Sequence, residues 1–256
     1  MAQERRRLLI APERLTAAPD GSVVLTADES RYLTRVLRLA PGDGLAITDG
    51  GGNLWEARLQ GRDRALLEQP LQAPLQRAAP PRPELVLAAA VVKRDYDVVV
   101  RMAVELGVDR FQPLIAERTA VLGQLKAERW RAIAREAAEQ CERLWLPQVA
   151  EPQSACQAMV AAAAAAPRSL RLLATTRRPG LASLQEVLLQ QQLDQPPNAL
   201  WLACGPEGGW SDGEEAEAEL QGWIPVGLGP RILRSSTAAV TALGLVSSWR
   251  HGCWSC

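Results

Sequence analysis

Two short loops hold the residues best able to do chemistry: Cys204-Gly-Pro-Glu-Gly-Gly-Trp210 and Leu228-Gly-Pro-Arg-Ile-Leu-Arg234. Glycine lets backbone approach a ligand closely or take a positive φ, and proline fixes the neighbouring turn. Each loop follows a short apolar run, residues 200–203 and 224–228, that reads as a buried strand. Each precedes a helical pattern, residues 211–221 and 236–249. Loops at the ends of successive parallel strands build the crevice where open α/β sheets bind ligands. The charged groups there are Glu207 in the first loop and Arg231 and Arg234 in the second. Two guanidiniums can stabilise a developing oxyanion or hold a phosphate, which is catalysis by positioning and electrostatics. Glu207 has two readings, an acceptor for a ribose hydroxyl or loop donors, and a structural acid near a helix N-terminus. Ser211 and Glu214 have the Ser-x-x-Glu spacing of a capping box and belong to structure.

Other chemistries find little support. The chain has no Ser-His-Asp set, P-loop or Gly-x-Gly-x-x-Gly, which removes the basis for hydrolase and dinucleotide readings. The single histidine, His251, lies at the tail and is a poor general base. With Cys253 and Cys256 it offers three metal ligands, one short of a closed zinc site, so no metal is expected. Five scattered cysteines suit reduced thiols in the cytoplasm. The longest apolar run, residues 85–92, is too short to cross a bilayer. Arg5-Arg6-Arg7 is followed only by Leu8-Leu9-Ile10, which is not a signal peptide. A soluble, cytoplasmic protein without membrane partners is the expectation. Zero net charge does not advertise a nucleic-acid partner. The basic set is 27 Arg and 2 Lys, a ratio that codon composition explains as well as phosphate binding does.

The elements that must position the loops fall into two parts. Residues 1–74 read as small and β-rich, with strands at 23–26, 45–48 and 54–60 separated by Gly-rich turns. In the last of these Trp55, Ala57 and Leu59 alternate with Glu56, Arg58 and Gln60, the mark of a half-buried strand. Residues 30–39 read as one helix, placing Arg31, Arg35 and Arg38 on one face. That stripe suits RNA phosphates or an ordinary solvated face. Ten basic and ten acidic residues in this part favour neither. Five prolines between residues 70 and 83 predict a linker, with the domain boundary near residue 80. From residue 84 strands (85–92, 111–115, 170–174 and the two before the loops) alternate with helices (96–106, 126–142, 153–166, 181–191 and the two after the loops). Repeated βα units mean a mostly parallel sheet covered by helices.

The wording of the two loops, in this order and about twenty residues apart, resembles the SPOUT methyltransferases. It is most similar to the RsmE type, which methylates N3 of a uridine in 16S ribosomal RNA. Lys93-Arg-Asp-Tyr-Asp97, Ala103-Val-Glu-Leu-Gly-Val108, Glu117-Arg118-Thr119 and Glu139-Gln140-Cys141 with Pro147 resemble further marks of that family, so the likeness runs the length of the chain. It implies a PUA-like RNA-binding β-barrel over residues 1–74 and a SPOUT α/β domain with a deep trefoil knot over residues 80–256. It implies S-adenosylmethionine as cofactor, 16S ribosomal RNA or the small subunit as partner, and a homodimer. The last helix supports a dimer with Ala238, Val240, Leu243, Leu245 and Val246, more apolar surface than a solvated helix needs. By resemblance the cofactor is held by Leu202, Ala203, Cys204, Gly205, Pro206, Glu207, Gly208, Leu228, Gly229, Ile232, Leu233 and Thr237, with Ile232 and Leu233 beside the adenine. Arg231, Arg234 and Glu207 are the catalytic candidates. The chain departs from the family pattern at Arg94, Met102, Trp145 and Ser236, where Gly, Lys, Arg and Glu are usual. The apolar replacements at Met102 and Trp145 support one rival reading, a non-catalytic RNA-binding homologue; a second, an enzyme for a different RNA, shares the same loops.

Overall fold

Alternating buried strands and amphipathic helices give the chain two compact units in a computed structural model that describes residues 6–120, 125–165, 168–191 and 197–254. One unit takes in Met1–Pro80 with Arg135–Leu146, the other Pro81–Ala134 with Pro147–Cys256.

In the first unit the elements are β1 (Arg7–Leu9), α1 (Pro12–Thr16), β2 (Ser22–Val24), α2 (Ala27–Arg31), β3 (Gly44–Thr48), β4 (Asn53–Gln60), β5 (Arg64–Leu67) and β6 (Gln76–Arg77). The sheet runs β1-β3-β4-β5-β2, with β6 added to β4. Trp55, Ala57 and Leu59 turn inward onto Ile10, Leu33, Leu45 and Ile47, as their alternation predicts. Two features differ from expectation. Residues 30–39 are not one α-helix: α2 passes into a π-helical turn, Tyr32–Val36, and Arg38 is left-handed at φ +59. The wider π turn and the reversal at Arg38 break the i, i+4, i+7 spacing, so the three arginines do not form the predicted helical stripe. The proline-rich segment, in turn, is partly structured, since Arg77 pairs with Asn53.

Trp145 has a structural task here. Its indole N–H donates to the Ala78 carbonyl at 3.1 Å. Gly52, at φ +95, packs so closely that a Cβ would lie 2.5 Å from that carbonyl and 2.7 Å from the ring. The departure at Trp145 is therefore one of packing within this unit.

The second unit contains β7 (Glu84–Ala90), α3 (Tyr96–Glu105), β8 (Arg110–Ile115), α4 (Ala127–Gln140, whose last turns belong to the first unit), β9 (Gln148–Val149), β10 (Gln153–Ser154), α5 (Ala155–Ala165), β11 (Ser169–Ala174), α6 (Leu184–Gln190), β12 (Ala199–Cys204), α7 (Asp212–Leu220), β13 (Ile224–Val226) and α8 (Ser235–Trp254). All pairings are parallel, in the order β10-β8-β7-β12-β11-β13, with β9 on β8. β12 is fully buried along its length, which is why it reads as a continuous apolar run. Trp201 and Ala203 face the cluster that includes Met159, Ala162, Ala218 and Trp223 from the α5 and α7 side. Side chains alternate along a strand, so Leu200, Leu202 and Cys204 face the other way, where α8 packs on β7 and β12.

α8 runs past residue 249, so His251 and Cys253 are helical rather than frayed; Cys256 lies outside the described residues. Backbone hydrogen bonds continue the helix, and Arg250, buried, donates to Asp109 and to the Pro83 and Gly107 carbonyls. Leu243 and Val246 are buried within this chain and Val240 is half-buried, which leaves Leu245, among the described side chains of α8, as the large apolar one that stays exposed. The apolar surplus on this helix is smaller than its sequence suggests.

Candidate functional site

The C-terminal ends of β11, β12 and β13 open onto a cavity of about 690 Å³, within the range of pockets that enclose a cofactor-sized molecule. The sequence leads one to expect the two glycine-rich loops as neighbours, but β11 lies between their strands. A third wall follows, Thr175 to Pro179, which the sequence reading does not single out.

The first loop is braced from several directions. Trp210 packs its ring under Gly205, where a Cβ would come within 3.1 Å of the indole. The Trp210 N–H donates to the Ala174 carbonyl at 3.0 Å, tying this loop to the end of β11. Arg118 donates to the carbonyls of Gly208 and Trp210 at 3.2 and 2.9 Å. Ser211 and Glu214 form the predicted capping box at the start of α7. Glu214, itself buried, also accepts from the Glu117 N–H at 2.8 Å, and the Thr119 hydroxyl accepts from Ala116 N–H. The Glu117-Arg118-Thr119 step thus acts as a brace for the loop. Gly209 takes φ +72, a conformation that favours glycine.

The second loop is open. Leu228, Gly229, Arg231, Ile232 and Leu233 line the cavity, and Ile232 is 64% exposed. Their backbone N–H groups make no hydrogen bond among the described residues. The first helical hydrogen bond of α8 runs from the Ala238 N–H to the Arg234 carbonyl, so Arg234 holds the N-cap position. Ser235, Ser236 and Thr237, the next residues along, carry the short hydroxyls that usually cap a helix. Ser235 instead donates its hydroxyl proton to the Gly205 carbonyl at 2.6 Å, joining the two loops.

The third wall is anchored to α7. The Thr175 hydroxyl donates to Glu215, and Arg178 pairs with Glu219 at 2.6 Å and with Glu215 at 3.4 Å. Glu186, from α6, also lines the cavity; hydrogen bonds from Ser183 hold its carboxyl below the usual range. Cys204 lies at the floor, where burial pushes its thiol up to about 12.

The structure therefore brings Cys204, Gly205, Pro206, Leu228, Gly229, Arg231, Ile232 and Leu233 together on one cavity. It places six other expected residues off its lining. Leu202 and Ala203 are central in β12, where the backbone pairs with β7 on one side and β11 on the other. Glu207 and Gly208 are exposed at the tip of the first loop, and Glu207 lies outside the first turn of α7. Arg234 and Thr237 are exposed beside the second loop. Missed by the sequence reading were Trp210, Ser235 and the third wall. The wall had a signal, Arg177-Arg178-Pro-Gly two residues beyond a predicted strand.

Fold and loops together have the form of an RNA-modifying methyltransferase. Residues 80–247 match the family described as RNA methyltransferase domain, and residues 25–69 the RNA methyltransferase PUA domain. The chain is 40% identical, over 94% of its length and 77% of the relative's, to ribosomal RNA small subunit methyltransferase E of Synechocystis. Two solved structures are similar at 27% identity over 96% of this chain and 98% of theirs. One is a methyltransferase from Legionella pneumophila in complex with the cofactor SAM, at a TM-score of 0.79. The other is ribosomal RNA small subunit methyltransferase E from Neisseria gonorrhoeae bound to S-adenosyl methionine, at 0.78. The chain belongs to the ribosomal RNA small subunit methyltransferase E family.

Proposed function

We propose that the protein transfers the methyl group of S-adenosylmethionine to N3 of a uridine in 16S ribosomal RNA, acting as a cytoplasmic homodimer. The observation that carries this reading is the cavity at the ends of β11, β12 and β13, walled by the two Gly-Pro loops. Family membership and the cofactor seen in two structural neighbours support it. The residues fit such a cofactor. The free N–H groups at Leu228, Gly229, Ile232 and Leu233 are donors for ring nitrogens or a carboxylate, and Ile232 and Leu233 present apolar surface to an adenine. The bound cofactor supplies an electrophilic methyl on a sulfonium.

The chain's own groups must orient the uracil, help its N3 proton leave and stabilise the imidate oxygen. Arg231, on the lining, and Arg234, exposed at the N-cap of α8, are the donors for that oxygen or for a phosphate of the RNA. Glu207, exposed at the tip of the first loop, is read as the acceptor for a ribose hydroxyl. The PUA domain is the second RNA contact, and the last loops belong to a trefoil-knotted crossing. The dimer draws on the exposed Leu245 of α8.

Calorimetry with S-adenosylmethionine, followed by mass spectrometry of 16S ribosomal RNA from a strain lacking this gene and from the complemented strain, tests the reading. Binding and restoration of one N3-methyluridine are expected. An unmodified uridine in the complemented strain, with cofactor binding intact, would move the substrate to another RNA.

A further inference from the structure

Three arginines line the cavity, and Arg177 differs from the other two in its backbone. It is left-handed, at φ +62, a conformation that residues with a Cβ rarely take. The turn is fixed on both sides. Thr175 donates its N–H to the Val226 carbonyl at 3.0 Å, and Arg178 is held by Glu219 and Glu215. Between these anchors Arg177 is exposed on the cavity lining and makes no hydrogen bond or ion pair among the described residues. The fold thus keeps an uncommon backbone conformation for a side chain that it does not itself use. Such outliers gather at ligand clamps.

The charge balance of the lining names the ligand's chemistry. Arg178 is neutralised by its two carboxylates, and Glu186 is engaged by Ser183. Arg177 and, on the loop after β13, Arg231 remain as exposed cations without partners among the described residues. A pair of free guanidiniums calls for an oxyanion. It has two sources here, the carboxylate of the cofactor and a phosphodiester of the RNA. Exposure favours the phosphodiester, because the interior of the cavity is bounded by buried Cys204, Pro206 and Trp210, whereas Arg177 faces solvent.

We propose that Arg177 is a substrate-binding residue that grips a backbone phosphate of the RNA next to the target nucleotide, with Arg231 as its counterpart on the second loop. This rests on reading the cavity as the cofactor site of an RNA methyltransferase.

Arg177→Gly removes the guanidinium and suits the positive φ, so it separates contact from folding. The full-length variant and parent are compared for binding of a fluorescein-labelled, uridine-containing single-stranded RNA decamer across a salt series, and for S-adenosylmethionine binding by calorimetry. The expected result is an unchanged or higher melting temperature and cofactor affinity within about threefold. RNA affinity should fall about tenfold at low salt. The slope of log K against log[salt] should become shallower by about 0.7, the value for one phosphate contact on a single strand. Arg177→Lys should restore the slope. Unchanged RNA affinity and slope would overturn the proposal, as would a loss confined to S-adenosylmethionine, which would assign Arg177 to the cofactor's carboxylate. Because RNA binding is read without methyl transfer, a parent that binds RNA but transfers nothing would count against the methyltransferase reading and leave this contact standing.

Discussion

The loops that follow β12 and β13 wall the same cavity, but they are built in opposite ways. The first is locked into the fold by Trp210, Arg118, Ser211 and Glu214, each with a hydrogen-bonded partner outside or across the loop. The second exposes Arg231, Ile232 and Arg234 and leaves a row of backbone N–H groups free among the described residues. One wall is scaffold and the other is contact surface. A pair of loops that look alike in sequence, both Gly-Pro with a charge, divides the work of holding shape and touching ligands.

The largest expected effect separates the two walls. Arg234→Ala should lower methyl transfer about a hundredfold or more, the scale of losing one preorganised donor. Its side chain is exposed beside the cavity and not on its lining, so cofactor affinity should change little. Single-turnover rates together with calorimetry check this. Loss of cofactor binding in the variant would mean that the second loop is scaffold as well, and the contrast would fail.

A middle effect tests the scaffold side. Arg118→Ala removes the donor to two carbonyls of the first loop while leaving the cavity lining intact. Stability should fall by about 1 kcal/mol, the usual net worth of a hydrogen bond, and cofactor affinity should weaken about tenfold through the loosened loop. Arg118→Lys should recover part of the loss, since both carbonyls are met by a single guanidinium nitrogen and one ammonium can donate to two acceptors. Equal melting temperatures and cofactor affinities in Arg118→Ala and the parent would show that the brace is idle.

Much of this arrangement was legible in the residues, for local reasons. The alternation of Trp55, Ala57 and Leu59, the buried run of β12 and the Ser211/Glu214 capping box each encode their own geometry, and the structure has all three. What escaped reading depends on distant partners. Nothing in the spacing of residues 170–174 says that this strand inserts between β12 and β13, so the third wall of the cavity was missed. Trp210 reads as one more apolar residue until its N–H is seen on the Ala174 carbonyl. The run at Arg31, Arg35 and Arg38 failed for the opposite reason. Its α-helical period was assumed, and a π turn followed by a left-handed residue changed the count. Family resemblance supplied the identity of the cofactor, which geometry alone narrows only to a molecule of the cavity's size and polarity.

The smallest effect reports on how firmly the first wall is held. Cys204 sits where β12 gives way to the first loop, and burial pushes its thiol up to about 12. The thiolate is the reactive form, so burial keeps the thiol protonated and unreactive at pH 8 while the fold is intact. The sign follows from protons bound. Below the ordinary thiol value, 9.0, folded and unfolded chains both keep the proton, and Cys204 contributes no pH dependence. Between 9.0 and about 12 the unfolded chain loses it first, so stability declines with rising pH across that window and only there. Iodoacetamide at pH 8 should therefore modify exposed Cys253 and spare Cys204, and adding S-adenosylmethionine should change nothing at Cys204. In Arg118→Ala, by contrast, Cys204 should begin to label if the brace is what keeps the end of β12 closed. Peptide mass spectrometry reads both sites in one experiment. Rapid labelling of Cys204 in the parent protein would mean that the first wall opens as freely as the second, and the distinction between scaffold and contact surface would be lost.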